Sequence, residues 1–417
     1  MRHFLILAVV SLAIAGCQRP TASKPKPKAK PDLTSSKSVP VPKSNLTREQ
    51  IADGWIQLFD GHSIFGWQSN DAQVNWSVAD GVIQADSGPV GLLVTTVPFG
   101  DFELLCDFRM AKKGNSGIFL RSPFKPENPS KDCYELNICN FESEFTTGSF
   151  VGRKKTESEI DGEDKWMTYH IRVDGSKIDV KLDGQMVMQF EDDGSQTPSL
   201  KSGYIGLQKN SGKIEFRNVF LRPLGTKPIF NQKDLKGWRE VPGSKSEFSV
   251  VDATIQVKSG SGFLETEERW SDFIVQFDAI CHGDELNSGI FFRAMPGTEE
   301  HPSDGYELQI HNGFKNGDRS KPSNGGTGCI FRRNEARWVV PNDREWFTTT
   351  LVAHRSRFAV WIDGLQVTDW KDDRKPNENP RKGRRLEAGH ISLQGHDPTT
   401  NLQFRNLKIA AFPKSGK

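Results

Sequence analysis

The stretch RFAVWIDGLQVTDW (Arg357–Trp370) sets an apolar run and a run that alternates apolar and polar residues on the two sides of an Asp-Gly pair. Alternation of period two places successive side chains on opposite faces of a strand. Asp-Gly between two such runs signals a hairpin, because a type I′ turn needs positive φ at both central residues. An earlier stretch, KIDVKLDGQMVMQF (Lys177–Phe190), reads the same way. It sets Ile178, Val180 and Leu182 on one face and turns at Asp183-Gly184.

The pair belongs to a longer repetition whose order is kept throughout. LFDGHSIFGW (Leu58–Trp67) matches IFNQKDLKGW (Ile229–Trp238), and NSGIFLR (Asn115–Arg121) matches NSGIFFR (Asn287–Arg293). YELNI from Tyr134 matches YELQI from Tyr306, and IEFRNV from Ile214 matches LQFRNL from Leu402. Such self-similarity means two copies of one domain, at about 49–225 and 226–413. RPLGTKP marks the junction, and 417 residues are more than one core usually holds. Each copy is a run of short alternating strands without a long helical period, which predicts an all-β chain of two tandem antiparallel sandwiches.

The N-terminus is a targeting segment. Phe4–Ile14 is an apolar run too short to span a bilayer. It ends in Ile14-Ala15-Gly16-Cys17, which resembles the lipobox of bacterial lipoproteins. That resemblance implies lipidation at Cys17, export to the cell envelope and a membrane anchor, with Gln18 favouring the outer membrane. Residues 18–48 are a Pro/Lys/Ser-rich tether. A net charge of +2, from 55 basic and 53 acidic residues, argues against nucleic acid as a partner. The five cysteines beyond Cys17 include no C-x-x-C and cannot all pair with one another; buried thiols are expected.

The candidate site lies on YELQIHN (Tyr306–Asn312), expected as a central strand. Tyr306, Leu308 and Ile310 face the core, while Glu307, Gln309 and His311 form a polar row. Without further information such a row is the wet face of a strand. The first copy reads Glu135, Asn137 and Cys139 there. The second copy adds residues between Asn312 and Thr327, adds RKPNENPRKGRR, and has Gly395-His396 after Gln394 where the first has Lys209-Asn210. Extra loops on a shared scaffold are where function concentrates.

Together, the G-W opening, N-S-G-I-F-x-R, Y-E-L-Q-I, L-x-Q-x-H and F-R-N resemble the 3-keto-disaccharide hydrolase domain. That domain is also described as a 3-keto-glucoside 1,2-lyase and 3-keto-2-hydroxyglucal hydratase domain. The resemblance covers both copies and implies concanavalin A-like jelly rolls with a sugar site on a curved sheet, acting on an oligosaccharide or keto-glycoside. The first copy departs from the pattern at Cys139 and at Lys209-Asn210. An ordinary glycosidase needs two carboxylates. A 3-keto sugar needs a base for the C2 proton, an acid and an enolate stabiliser. The residues assigned are Glu307 and His396 as base and acid, His311 as a second proton carrier, and Arg293 as enolate stabiliser. Gln309, Gln394 and Asn287 are assigned to sugar hydroxyls, and Trp338 to stacking on a pyranose. His311 and Glu307 are also candidates for a divalent metal. The alternatives are structural. Arg293 and Glu307 recur as Arg121 and Glu135, Asn287 is a turn former, His282-Asp284-Glu285 is a solvated loop rather than an ion site, and Arg381–Arg385 is a surface loop. A non-catalytic carbohydrate-binding lipoprotein and a scaffold for a protein partner are the competing functions.

Overall fold

Two sandwiches follow from the two repeats. The computed structural model describes residue 41 and residues 43–139, 141, 143–160, 162, 164–195 and 200–413. Cys17 and the expected signal segment lie outside the described residues. Each sandwich sets an eight-stranded sheet against a five-stranded one, all pairings antiparallel. Strands within 56–223 pair only with one another, as do those within 227–411. The hairpin signals hold: Asp183 and Gly184 have φ of 47° and 83°, and Asp363 and Gly364 have 46° and 79°. Among the described residues no helix is long and apolar enough to cross a membrane.

The second core lies between its sheets. Phe273, Val275 and Phe277 of the larger sheet meet Leu264, Ile290, Phe292, Tyr306, Leu308, Ile310 and Leu393 of the smaller. The Phe292 and Tyr306 rings stack side by side on the smaller sheet, 5.3 Å between centroids, and both meet Phe358 of the larger sheet across the gap, at 5.2 and 4.7 Å. Trp67 and Trp238 are core residues, and their indole N–H groups donate to the carbonyls of Leu58 and Ile229. The five described cysteines are free and buried.

In the five-stranded sheet of the second copy the order is Trp238–Glu240, Gly262–Thr266, His390–Gly395, Ser288–Ala294, Tyr306–Ile310. YELQI is therefore the outermost strand, not a central one. Its alternating pattern could not reveal this, because alternation reports faces and not neighbours. The free edge is covered by loop backbone. Thr327, Gly328 and Phe331 donate to the carbonyls of His311, Gln309 and Glu307, and Gln309 donates to Cys329. Covering an edge this way removes a pairing surface.

The larger sheet of the second copy turns its outer side to the first. Ile274, Val352, Ala359 and Trp361 join the first sandwich's apolar cluster. The indole N–H of Trp361 donates to the carbonyl of Gln57 at 3.0 Å, and Gln57 N–H donates to Gly364 at 2.8 Å. Trp361→Ala is expected to lower stability by roughly 3–5 kcal/mol. Chemical denaturation should then resolve two transitions where the wild type shows coupled unfolding.

Candidate functional site

The polar row is not a wet face. Glu307 is 6% exposed, Gln309 0% and His311 9%. Such burial demands partners, and the neighbouring strands supply them. Gly289 sits opposite Gln309 in the register. A Cβ there would lie 3.2 Å from Glu307 Cγ and 3.4 Å from Gln394 Oε1. The glycine of N-S-G is thus the floor between these two side chains.

One chain of hydrogen bonds fixes the histidine. Gln309 Nε2 donates to the Asn324 carbonyl at 3.2 Å, which sets the orientation of that amide. It also donates to Asn287 Oδ1 at 3.1 Å. Asn287 Nδ2 therefore faces His396 Nε2, 2.9 Å away, and must donate to it. His396 Nδ1 lies 2.9 Å from Asp397 Oδ2. The proton then sits on Nδ1, and the Nε2 lone pair is held by the relay. Hydrogen bonds from Thr399 and His396 keep the Asp397 carboxyl below its usual range.

Glu307 has a cation that the sequence reading left on the surface. Arg381 Nη1 stands 2.9 Å from Glu307 Oε2, and its guanidinium lies 4.9 Å from the Phe291 ring centroid. Ser303 and Arg333 hold Arg381 through backbone and side-chain bonds. Burial raises the Glu307 carboxyl above its ordinary value, while Arg381, His396 and Arg332 pull it back. The amide oxygens of Gln309 and Gln394 are buried without a hydrogen-bond partner.

The structure thus brings together Glu307, Gln309, Asn287, Gln394 and His396. It separates three other candidates. Arg293 is fully buried and donates to the carbonyls of Ser271, Arg355 and Arg385 and to Asp272. A bulge between Phe291 and Ala294, with φ of 46° at Arg293, turns it off the face that simple alternation assigned. Its φ, burial and partner types recur at Arg121, so the clamp is structural. Trp338 is not a platform: it is buried, with the Arg337 guanidinium 4.0 Å from its ring centroid. His311 accepts from Gly313 N–H at 3.2 Å through Nδ1, and burial lowers its pKa, so it is held neutral. It lies four residues from Glu307, roughly 13 Å along an extended strand. The two do not form one ligand set, and among the described residues no group of three His, Cys, Asp or Glu side chains is placed to hold a metal. His282 pairs with Gln403 and Asp284 with Arg344, away from any ion geometry.

The first copy keeps the floor and loses the relay. Gln208 Nε2 donates to Glu135 Oε1 at 3.1 Å, and Asn137 Nδ2 donates to the Phe145 carbonyl. Arg381 and Asp397 were missed because their roles depend on long-range contacts. The only signal for Arg381 was a basic cluster in an insertion.

The all-β sandwich with a buried acid, amides and an oriented histidine on one sheet face belongs to a carbohydrate-active protein, as its family shows. A family description, the 3-keto-alpha-glucoside-1,2-lyase-like domain, matches residues 54–222 and again 225–410, so the chain belongs to that family with two copies of its domain. A 3-keto-disaccharide hydrolase of Bacteroides thetaiotaomicron is 35% identical over 79 residues, 16% of this chain and 27% of that relative. A candidate glycosyl hydrolase from Parabacteroides distasonis is 20% identical, with a TM-score of 0.39 over 43% of this chain and 98% of its own. The carbohydrate-binding module CBM66 from Bacillus subtilis is 18% identical, with a TM-score of 0.29 over 38% and 95% of the two chains.

Glu135 gives a test of the shared floor. Burial raises its carboxyl to about 7, with Gln208 opposing. A raised folded pKa contributes stability that is present below the ordinary value of 4.5 and lost as pH rises through about 7. Glu135→Gln is expected to flatten the fall in Tm between pH 5 and pH 8, as read by thermal melts.

Proposed function

We propose that the second sandwich cleaves 3-keto-glycosides by elimination, and that the chain is an exported lipoprotein anchored through Cys17. The observation that carries the reading is the relay from Asn324 to Asp397, which holds His396 as the Nδ1–H tautomer with the Asn287 amide bonded to its Nε2 lone pair; substrate entering the face must displace that amide before the nitrogen acts as a base. The C3 ketone acidifies the C2 proton. His396 Nε2 takes that proton, and the Arg381 guanidinium, in the role first given to Arg293, meets the developing enolate oxygen. The C1–oxygen bond breaks, and the Glu307 carboxyl delivers a proton to the leaving oxygen. Its upward shift on burial favours the protonated form that this step needs. Return of water, with hydroxyl to C1 and the proton to C2, completes hydration of the enone. The family membership supports the substrate class. The first copy, with Asn210 in place of His396, lacks the base.

Incubation of residues 18–417 with 3-keto-glucosides and their unoxidised parents should release aglycone, and exchange C2 hydrogen in D2O, only from the keto sugars. His396→Ala and Glu307→Gln should each lower turnover by about 10²–10⁴, whereas Glu135→Gln should leave it unchanged. Saturable binding without release or exchange would instead mean a carbohydrate-binding module. Metabolic labelling with a fatty-acid analogue should mark the full chain, and Cys17→Ser should abolish the label.

A further inference from the structure

We infer that the first sandwich braces the site of the second, with Asp60 and Arg337 as positioning residues; the inference rests on the reading of the Glu307–His396 face given above. Arg337 lies six residues beyond Phe331, the last of the residues that cover the edge of the site strand, and its own N–H donates to the Val367 carbonyl. Its Nη1 stands 2.9 Å from Asp60 Oδ2, and its Nη2 donates to Ser63 Oγ at 3.2 Å. The guanidinium lies between two rings, 4.1 Å from the Phe65 centroid and 4.0 Å from that of Trp338. The Asp60 side chain is 6% exposed and that of Arg337 23%. Arginine suits such a site because its planar fork both stacks and bonds twice.

The path from this clamp to the site is short. Ala336, next to Arg337, donates its N–H to the carbonyl of Gly325. The adjoining Asn324 carbonyl holds Gln309, which holds Asn287, which holds His396. Asn334 ties the same loop through Ile330 N–H and Thr368. The Arg333 side chain bonds the backbone of Arg381, the partner of Glu307.

The repeat makes the brace directional. Asn231 and Lys236 stand in the second copy where the first has Asp60 and Phe65. Counted from the shared Thr-Gly, Glu157 stands in the first copy where the second has Arg337. The acid and ring are confined to one copy and the cation to the other. A copy without a base of its own is thus needed for the geometry of its partner.

The test uses the full chain with Asp60→Asn, Arg337→Gln and both together. Asparagine suits this turn, since Asn231 Oδ1 accepts from Lys233 and Asp234 N–H in the second copy. Hydrogen exchange at Gln309, Thr327, Gly328, Phe331 and Ala336 should speed up by about 10-fold in each variant, with no further gain in the double variant. Exchange at Leu104 and Val275, in the two cores, should stay unchanged. The NMR chemical shift of the His396 ring Nε2 should change, because a slackened relay loses the hydrogen bond from Asn287 to that nitrogen; the ring shifts of exposed His301 should not move. Arg337→Lys should fall between wild type and Arg337→Gln. Unchanged loop exchange, equal acceleration in both cores, or an unmoved His396 Nε2 chemical shift would overturn the brace. Absence of keto-glycoside turnover in the wild type would sink the functional reading alone, since the exchange measurement needs no substrate.

Discussion

A strand at the edge of a sheet that carries a carboxylate, an amide and an imidazole under cover imposes one constraint: its polar groups need partners, and the Gln309 amide oxygen is left without one. Backbone amides on its open side are met by Thr327–Phe331. The side chains are met by Arg381, Asn287 and the Asn324 carbonyl. Much of the local architecture follows. The first copy covers its edge strand in the same way, with Thr147, Gly148 and Val151 donating to the carbonyls of Cys139, Asn137 and Glu135, while the loop around Arg381 brings a cation against the Glu307 carboxyl of the second copy alone.

The two copies show what a shared scaffold leaves open. Both keep the bulge with a left-handed arginine, and both place a glycine hard against it. A Cβ at Gly203 would lie 2.3 Å from the Arg121 backbone, and one at Gly389 2.2 Å from that of Arg293. Both keep a glycine floor beside a buried glutamate. They part where the loops differ. Among the described residues the acid of the first copy meets an amide, Gln208, while that of the second meets Arg381 and lies within the field of His396. One fold with two loop sets thus gives two electrostatic settings for the same side chain, which is how common folds come to host different functions.

Much of this was legible in the residues. The Asp-Gly hairpins, the repeat and the inward face of YELQI rest on local rules of period and turn, and each holds. Glu307, Gln309, Gln394, Asn287 and His396 converge because the repeat frame, with differences confined to one copy, pointed at one sheet face. Arg293 was misplaced because alternation cannot foresee a bulge. Trp338 was misplaced because a tryptophan in a loop reads as exposed until its cover is known. Arg381 was missed because nothing local distinguishes a cation that reaches a buried acid from one that points to water.

The sequence by itself determined the all-β class, the two copies, and which residues share a face, since strand period and turn chemistry act between near neighbours. Only the tertiary structure decided that the polar row is buried at a sheet edge, that His396 presents a lone pair, and that Asp60 of one sandwich grips Arg337 of the other. Those outcomes depend on contacts between residues as far apart as Asp60 and Arg337. Hydrogen-bond direction and desolvation are set by what surrounds a group in space, and no stretch of neighbouring residues encodes that.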